Sequence, residues 1–287
     1  MGRCDRGHAR KGEKVKVLVL DGGGVFGNVQ ATILQRIDAL EKFDCFVGTS
    51  IGSALAASIA TGNQAATGQQ FFHEWMPKVF KRGILTRMNP CTPKYPDKGL
   101  NEALQSIFRG TLLRDVQKPL FVTAANVGSR TLKVFSPETD NGWMLWEVIR
   151  AATAAETYFP SWKGYADGGV FANNPSMVAV AAACRVLGAK LEDLEVLSIG
   201  TGQKPAQGGR PPLTVIGWGS WLIHALLEGA SDNMHDYFVR SLPVKKYTRI
   251  QFAMQPKWEM DSPKDMLASQ QAWAKDVEDA ITIVKAF

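Results

Sequence analysis

The amino-acid sequence predicts an α/β fold, a three-layer sandwich in which helices cover both faces of a mostly parallel central sheet. Short apolar runs typical of buried strands alternate with helical patterns from Val15 to about Phe252, and this alternation is typical of parallel sheets with crossover helices. The composition, 45% hydrophobic and 21% charged, is ordinary for a globular protein. We therefore expect one domain over residues 14–287, preceded by a basic, disordered tail over residues 1–13.

The first predicted strand leads into a glycine-rich turn. Val15–Leu20 reads VKVLVL, and residues 21–27 read DGGGVFG. Consecutive glycines at a strand-to-helix turn aim backbone N–H groups into one concavity, where a developing negative charge is stabilised. Gly22, Gly23 and Gly24 are therefore candidate oxyanion-hole residues. The helix predicted next carries an apolar stripe of Val29, Ile33, Leu34, Ile37 and Leu40.

The second predicted strand leads into a nucleophile elbow. The apolar run Cys45–Val47 precedes residues 48–52, which read GTSIG, and a helical apolar spacing follows. Such a turn holds a serine in an exposed, strained conformation, and the glycine on each side lets the two backbones approach. Ser50 is therefore the candidate nucleophile, with Gly48 and Gly52 as the flanking glycines.

The remaining sequence continues the alternation. Helices are predicted over residues 64–81, 100–108, 142–155, 175–187 and 266–287, and strands over residues 120–125, 132–135 and 195–199. Residues 88–97 are rich in proline and predict a connection.

An aspartate on a glycine turn follows far downstream of the serine. Asp167 begins the sequence DGG of residues 167–169. Taken alone, Asp-Gly is a common turn dipeptide. By itself, this turn interpretation of Asp167 would be preferred.

These three motifs, in this order, resemble those of the patatin-like phospholipase family. That family has a D-G-G-G-x-[RK]-G loop, a G-x-S-x-G serine and a later D-G-[GA] aspartate, and residues 148–160 and 197–202 also look like family segments. The resemblance implies that Ser50 attacks an ester, that Asp167 is its base, and that the glycine loop holds the oxyanion. It implies a serine lipid acyl hydrolase of the phospholipase A type, acting on membrane phospholipids or related acyl esters through a Ser-Asp dyad without metal or cofactor.

The resemblance extends to bacterial stand-alone patatins, which include effectors of anti-phage defence that cyclic nucleotides switch on. It therefore implies a cyclic nucleotide as a possible activator.

One residue departs from the family pattern. Phe26 stands where the family usually has Arg or Lys, so a cation expected near the oxyanion or a phosphate is absent at that position. The backbone donors remain, and we expect Phe26→Arg to be tolerated. Whether Arg150 or Lys163 supplies the cation in space is left open.

Histidines do not provide a conventional triad in the sequence. The chain has His8, His73, His224 and His235, and none of them occupies a loop of the kind that presents a catalytic base after a strand. We interpret all four as non-catalytic.

Charge and cysteine content constrain the partners. The net charge is +6 and the isoelectric point about 9.1, which favours peripheral contact with anionic membranes; no nucleic-acid-binding motif appears, and we expect no nucleic acid partner. The four cysteines, Cys4, Cys45, Cys91 and Cys184, are scattered without metal-binding spacing. The N-terminus has no apolar signal region, so the expected location is cytoplasmic and peripheral to the membrane.

The segment Leu213 to Leu227 admits two interpretations. It contains no charged side chain and follows a glycine- and proline-rich run. Trp218, Trp221 and Leu222 share one helical face, as in a core helix or in a lid that enters a lipid interface. Core packing is the favoured interpretation, and the lid is the alternative.

Two other functions remain to be weighed. The glycines of residues 22–27 also match the fingerprint of a dinucleotide-binding fold. That fold needs an acidic residue at the end of the second strand. Here Gly48 and Ser50 occupy that end, and Asp44 precedes the strand. A catalytically silent lipid-binding protein of the same fold is the other alternative. The presence of both Ser50 and Asp167 argues against it.

Overall fold

The computed structural model describes residues 14–63, 69–83, 92–205, 213–226 and 231–287. The predicted tail of residues 1–13, together with His8, Cys4 and Cys91, lies outside these ranges, as does the side chain of His224.

A central sheet organises the described part of the chain. Its strands are β1 (Val15–Leu20), β2 (Cys45–Thr49), β3 (Leu120–Asn126), β4 (Thr131–Phe135), β5 (Tyr165–Asp167), β6 (Leu194–Ile199) and β7 (Lys246–Ile250). The order is β4-β3-β2-β1-β6-β7, with β5 also paired to β3. Strands β2, β1, β6 and β7 run parallel to their neighbours and β3 is parallel to β2, whereas β4 and β5 are antiparallel to β3. The prediction of a mostly parallel sheet is confirmed.

Twelve α-helices in the described residues complete the fold. They are α1 (Gly27–Leu34), α2 (Ala39–Lys42), α3 (Ile51–Ala60), α4 (Gln69–Val79), α5 (Lys98–Phe108), α6 (Leu145–Ala152), α7 (Gly169–Ala172), α8 (Ser176–Val186), α9 (Val215–Ala225), α10 (Ser231–Ser241), α11 (Pro263–Ala272) and α12 (Ala274–Ala286).

Alternate residues of each central strand enter two separate cores. Leu18 and Leu20 of β1 pack into the larger core, beneath α1, α3, α6 and the C-terminal helices. Val17 and Val19 enter the smaller core, which α8 covers and to which Val239 of α10 also contributes. Because successive strand side chains point to opposite faces, this division produces the three predicted layers.

Several boundaries differ from the sequence prediction. The helix after the glycine loop ends at Leu34, and the C-terminal helix divides into α11 and α12 at Trp273. Strands β5 and β7 and helix α10 were not predicted. β5 has three residues, β7 is an edge strand of the polar sequence KYTRI, and α10 is largely polar, so none carries a strong apolar period.

The favoured core interpretation of Leu213 to Leu227 is wrong for the residues described. Val215 is 89% exposed, and Trp218, Trp221 and Leu222 of α9 are about half exposed. The helix therefore presents an apolar surface to the outside. It has 11 residues, and no helix in the described ranges is both long and apolar enough to cross a membrane.

Candidate active site

Ser50 stands between the end of β2 and the start of α3, as the elbow motif predicts. Its backbone has φ 52° and ψ −126°, a strained conformation for a residue with a Cβ atom, of the kind that concentrates at functional sites. Gly52 lies so close to β1 that a Cβ atom would overlap the carbonyl oxygens of Leu20 and Asp21. A glycine is needed there because α3 begins directly against the strand that carries the glycine loop.

The register of β3 brings Asp167 beside the elbow. Thr49, the last residue of β2, pairs with Thr123, and Asp167 of β5 pairs with the next residue, Ala124. β2 and β5 therefore pair with the same edge of β3 in succession: β2 pairs up to Thr123, and β5 pairs from Ala124 onward. This exchange places the residue after Thr49, which is Ser50, next to Asp167.

The Asp167 carboxyl is almost fully enclosed. It is 3% exposed, and its Oδ1 accepts the N–H of Gly169 at 2.8 Å. Oδ2 is buried without a hydrogen bond of standard geometry from the described residues. Burial raises the pKa of Asp167 to about 6, while interactions with the Ser50 hydroxyl and the Gly169 N–H lower it. A carboxyl with such a pKa is ionised near neutral pH and able to accept a proton.

A second carboxyl, not predicted from the sequence, lies near Asp167. Glu156 belongs to the segment whose Ala154 carbonyl accepts the Asp167 N–H at 3.0 Å. One Glu156 carboxyl oxygen is buried without a partner in the described residues. Burial, followed by the charge of Asp167, raises the pKa of Glu156. Glu156 lies within residues 148–160, which resemble a family segment, but nothing in that sequence singles it out, because its proximity to Asp167 depends on how the backbone folds.

The glycine loop is held from two sides. Gly22 donates its N–H to the Asn173 carbonyl at 3.1 Å, and Val25 donates to the Met260 carbonyl at 2.8 Å. The bond to Asn173 occupies the Gly22 amide, so Gly22 is removed from the predicted oxyanion donors. The amides of Gly23 and Gly24 have no acceptor in the described part of the chain, and Gly24 has φ 57°, a conformation that favours glycine.

Phe26 packs in the core, and this burial argues against the expectation that arginine is tolerated there. Its ring is 1% exposed and contacts the rings of Trp258 and Trp273. Neither proposed substitute cation lies at the loop. Arg150 is fully buried and donates to the Asn101 side chain at 2.8 Å and the Pro160 carbonyl at 3.1 Å, while Lys163 forms an ion pair with Glu147 at 2.7 Å.

A buried ionic cluster supports the loop from the other side of the cleft. Arg249 donates to the Asp21 carboxylate at 2.9 Å and to Asp232 at 2.7 Å, and it also contacts the Ser198 hydroxyl. Asp21 immediately precedes the glycines, and Asp232 begins α10. Arg249 therefore ties the start of the loop to α10 through strand β7.

The two histidines whose side chains are described lie away from the reacting groups. His73 is exposed on α4. His235 is buried on α10 beside the backbone of Phe171 and Asn174, and burial lowers its pKa despite Asp232. Neither lines the clefts at Ser50. No group of three metal-ligating side chains occurs within the described ranges.

Ser50 lies where two clefts meet. The larger is mixed in character; its lining includes Asp21, Gly22, Gly23, Asp167, Asn173 and Lys204. The smaller is mainly apolar; its lining includes Gly24, Ile51, Met76, Val79, Phe80 and Leu100. The predicted serine, aspartate and loop glycines thus line the space around one point.

Comparison with known proteins assigns the family. The model of the family described as patatin-like phospholipase matches residues 18–180. The chain belongs to the patatin-like phospholipase family. This membership favours an ester hydrolase over the dinucleotide-binding interpretation of the glycine loop. Both the elbow and the loop fall within the matched patatin region, as does Asp167.

Individual relatives agree with the patatin assignment. A cGAMP-activated phospholipase of Pseudomonas aeruginosa is 28% identical, over 88% of this chain and 81% of that protein. An intracellular phospholipase A2 of Caenorhabditis elegans is 32% identical, over 69% of this chain but only 20% of the longer protein. Among solved structures, VipD from Legionella pneumophila aligns over 93% of this chain and 67% of its own, with a TM-score of 0.47 and 14% identity.

Proposed function

We propose that this patatin-like protein hydrolyses acyl esters of membrane phospholipids through a Ser50–Asp167 dyad. The observation that carries the proposal is the position of Ser50, strained at the elbow and beside a buried carboxylate, at the junction of two clefts. The family membership supports the same chemistry. The presence of both Ser50 and Asp167 argues against a catalytically silent protein of this family.

The proposed reaction has two steps. Asp167 accepts the Ser50 proton as the hydroxyl oxygen attacks the ester carbonyl, and the amides of Gly23 and Gly24 donate to the resulting oxyanion. Collapse of this intermediate releases the alcohol, which takes the proton from Asp167, and leaves an acyl-serine. Asp167 then removes a proton from water as the water oxygen attacks the acyl-serine. Collapse of this second intermediate releases the fatty acid, and the serine oxygen takes the proton back from Asp167.

Contact with a membrane through α9 and α10 is part of the proposal. Val215, Trp218 and Trp221 of α9 are exposed, and Tyr237 and Phe238 of α10 are exposed as well. Exposed tryptophan and aliphatic side chains on one helix suit the boundary between head groups and acyl chains. Asp232, at the start of α10, lines the larger cleft, so α10 begins beside the site.

Activation by a cyclic nucleotide, as in an effector of anti-phage defence, is the regulatory part of the proposal. It is supported by the similarity to the cGAMP-activated phospholipase of Pseudomonas aeruginosa. Phospholipid hydrolysis should increase when cyclic dinucleotides are added to the purified protein. An equal rate with and without a panel of such nucleotides would remove this part and leave the hydrolase proposal intact.

The hydrolase proposal is tested by labelling and turnover together. Wild-type protein should react with a fluorophosphonate probe and release fatty acid from phospholipid vesicles, whereas Ser50→Ala should do neither while its circular dichroism is unchanged. Ser53→Ala is the matched control, because Ser53 lies on α3 and its hydroxyl donates to the Ser50 carbonyl at 2.5 Å; it should still be labelled. Hydrolysis by Ser50→Ala at the wild-type rate would refute the proposal.

A further inference from the structure

The two clefts at Ser50 differ in chemistry. They share four lining residues, which are Ser50, Ala155, Tyr158 and Met260. Beyond this junction the larger cleft is bordered by polar side chains, including Asp232, Gln251 and Lys204, and by apolar ones, which are Phe26, Met254 and Trp258. The smaller cleft is bordered mainly by aliphatic and aromatic side chains of α4, α5 and their neighbours.

We propose that the smaller cleft binds the acyl chain of the ester, that the larger cleft binds the departing alcohol, and that Met76, Val79, Phe80 and Leu100 set the preferred chain length. The proposal rests on the proposed function, because it needs an acyl ester as substrate. It adds which half of the molecule enters which cleft.

The physical argument is one of matched polarity. A fatty acyl chain has no polar atom beyond its carbonyl, so its binding is favoured by the apolar surface that it removes from water. A glycerophosphate group placed among Val79, Phe80 and Leu100 would lose its hydration without gaining hydrogen bonds. The larger cleft offers such partners, since Asn173, Gln251 and Lys204 line it. The reverse placement is therefore disfavoured for the polar half, which finds few hydrogen-bond partners in the smaller cleft.

The walls of the apolar cleft are fixed by the fold. Met76 and Val79 lie one turn apart on α4 and are 4% and 3% exposed, and Leu100 lies on α5 and is 7% exposed. Side chains three residues apart on a helix are neighbours on one face. The cleft is thus bounded by packed helices, and a change in the volume of one side chain alters the space for the chain.

The first experiment measures chain-length preference. The ratio of kcat/KM for p-nitrophenyl dodecanoate to that for p-nitrophenyl butyrate should fall at least tenfold in Val79→Phe, which fills the cleft. It should rise in Leu100→Ala, which enlarges it. His73→Phe is the control: it adds a ring at an exposed position of the same helix, and the ratio should stay at the wild-type value.

The second experiment measures fatty acid binding in a variant that lacks the proposed nucleophile. In the Ser50→Ala background, calorimetry should detect binding of dodecanoate but much weaker binding of butyrate. Adding Val79→Phe should abolish dodecanoate binding, and adding His73→Phe should preserve it.

The outcomes separate the two proposals. If the wild-type protein hydrolyses no ester but dodecanoate binding depends on Val79, the proposed function fails and the assignment of the apolar cleft stands. If the protein is active and the ratio is unchanged in both folded Val79→Phe and Leu100→Ala, the cleft assignment is overturned. Absence of dodecanoate binding overturns it as well.

Discussion

The ring of Phe26 lies stacked against the indole of Trp258, with ring centroids 6.0 Å apart and planes inclined by 26°. Trp273 contacts the same ring from another side, at 5.9 Å. The position where the family usually has a cation is therefore occupied here by part of an aromatic cluster. Its contribution is to packing beneath the glycine loop.

Phe26→Arg is consequently expected to destabilise the protein. The guanidinium would be buried without a carboxylate partner in place of a ring that is 1% exposed, and losing a buried aromatic ring alone costs about 3–5 kcal/mol. Urea unfolding should show a loss at least this large. Phe26→Leu, which adds no charge, should lose less, and an arginine variant as stable as wild type would contradict the packing role.

Asp167→Asn should abolish ester hydrolysis, whereas His73→Gln and His235→Gln should retain most of it. An amide cannot accept the serine proton, and loss of a general base typically costs about 10²–10⁴ in rate. Initial rates on a soluble ester, with circular dichroism as the folding control, provide the measurement. A folded histidine variant as inactive as Asp167→Asn would show that a triad operates.

Asp167→Asn, which should abolish activity, is expected to increase the stability of the folded protein. Because burial raises the pKa of Asp167 from 3.8 to about 6, ionising it costs more in the folded than in the unfolded protein. The native state therefore loses stability as the pH rises through this range. Asp167→Asn should have a higher melting temperature than wild type at pH 7, and the advantage should shrink as the pH falls from about 6 to about 4.

Activity should follow the ionisation of Asp167. A base acts only when deprotonated, so kcat/KM for a soluble ester should fall about tenfold per pH unit below pH 6 and level off above it. The decrease in kcat/KM below pH 6 should persist in His235→Gln, since His235 lies outside both clefts. If this decrease disappears in His235→Gln, the proton acceptor is that histidine.

Trp221→Glu should weaken binding to phospholipid vesicles without affecting a short soluble ester. Trp221 is 50% exposed on α9, so its replacement leaves the core intact. Burying a large apolar side chain is worth about 1.5–3 kcal/mol, which corresponds to at least a tenfold change in Kd. Ile283→Glu is the control, because Ile283 is similarly exposed, at 45%, but belongs to a different helix, α12. Equal losses in both variants would contradict a specific membrane surface.

Arg249→Met should be among the most destabilising single changes. It would leave the carboxylates of Asp21 and Asp232 buried without their cation, and removing one partner of a buried ion pair costs about 3–5 kcal/mol. Arg240→Met breaks an exposed pair with Asp236, and the expected loss is about 0–1 kcal/mol. Chemical unfolding of both variants checks the contrast.

Local signals in the sequence were sufficient for the central strands and for the strand-to-helix turn at Ser50, whereas the proposal for Asp167 depended on the resemblance of three separate motifs to one family. Strands β1, β2, β3 and β6 are apolar runs buried on both faces, and the elbow is defined by its own five residues. The alternating pattern also predicted the layers. These features depend on neighbours in sequence, so a single chain is enough to reveal them.

Features that depend on distant contacts were missed. The hydrogen bond that occupies the Gly22 amide comes from Asn173, and the cation beside Asp21 comes from Arg249. α9 was predicted to pack in the core but is exposed, because an apolar sequence alone does not show whether other elements cover the helix. Glu156 was missed because it comes near Asp167 only in the folded backbone, where Asp167 donates its N–H to the Ala154 carbonyl.

The exchange of β2 for β5 along one edge of β3 has a consequence for synthesis of the chain. The elbow and the glycine loop leave the ribosome first, but the base arrives only with residues 165–167, after β3 has been made. An incomplete chain that ends before Tyr165 has a nucleophile and no proton acceptor. In the proposed enzyme, a nascent or truncated chain that ends before Tyr165 therefore cannot cleave lipid.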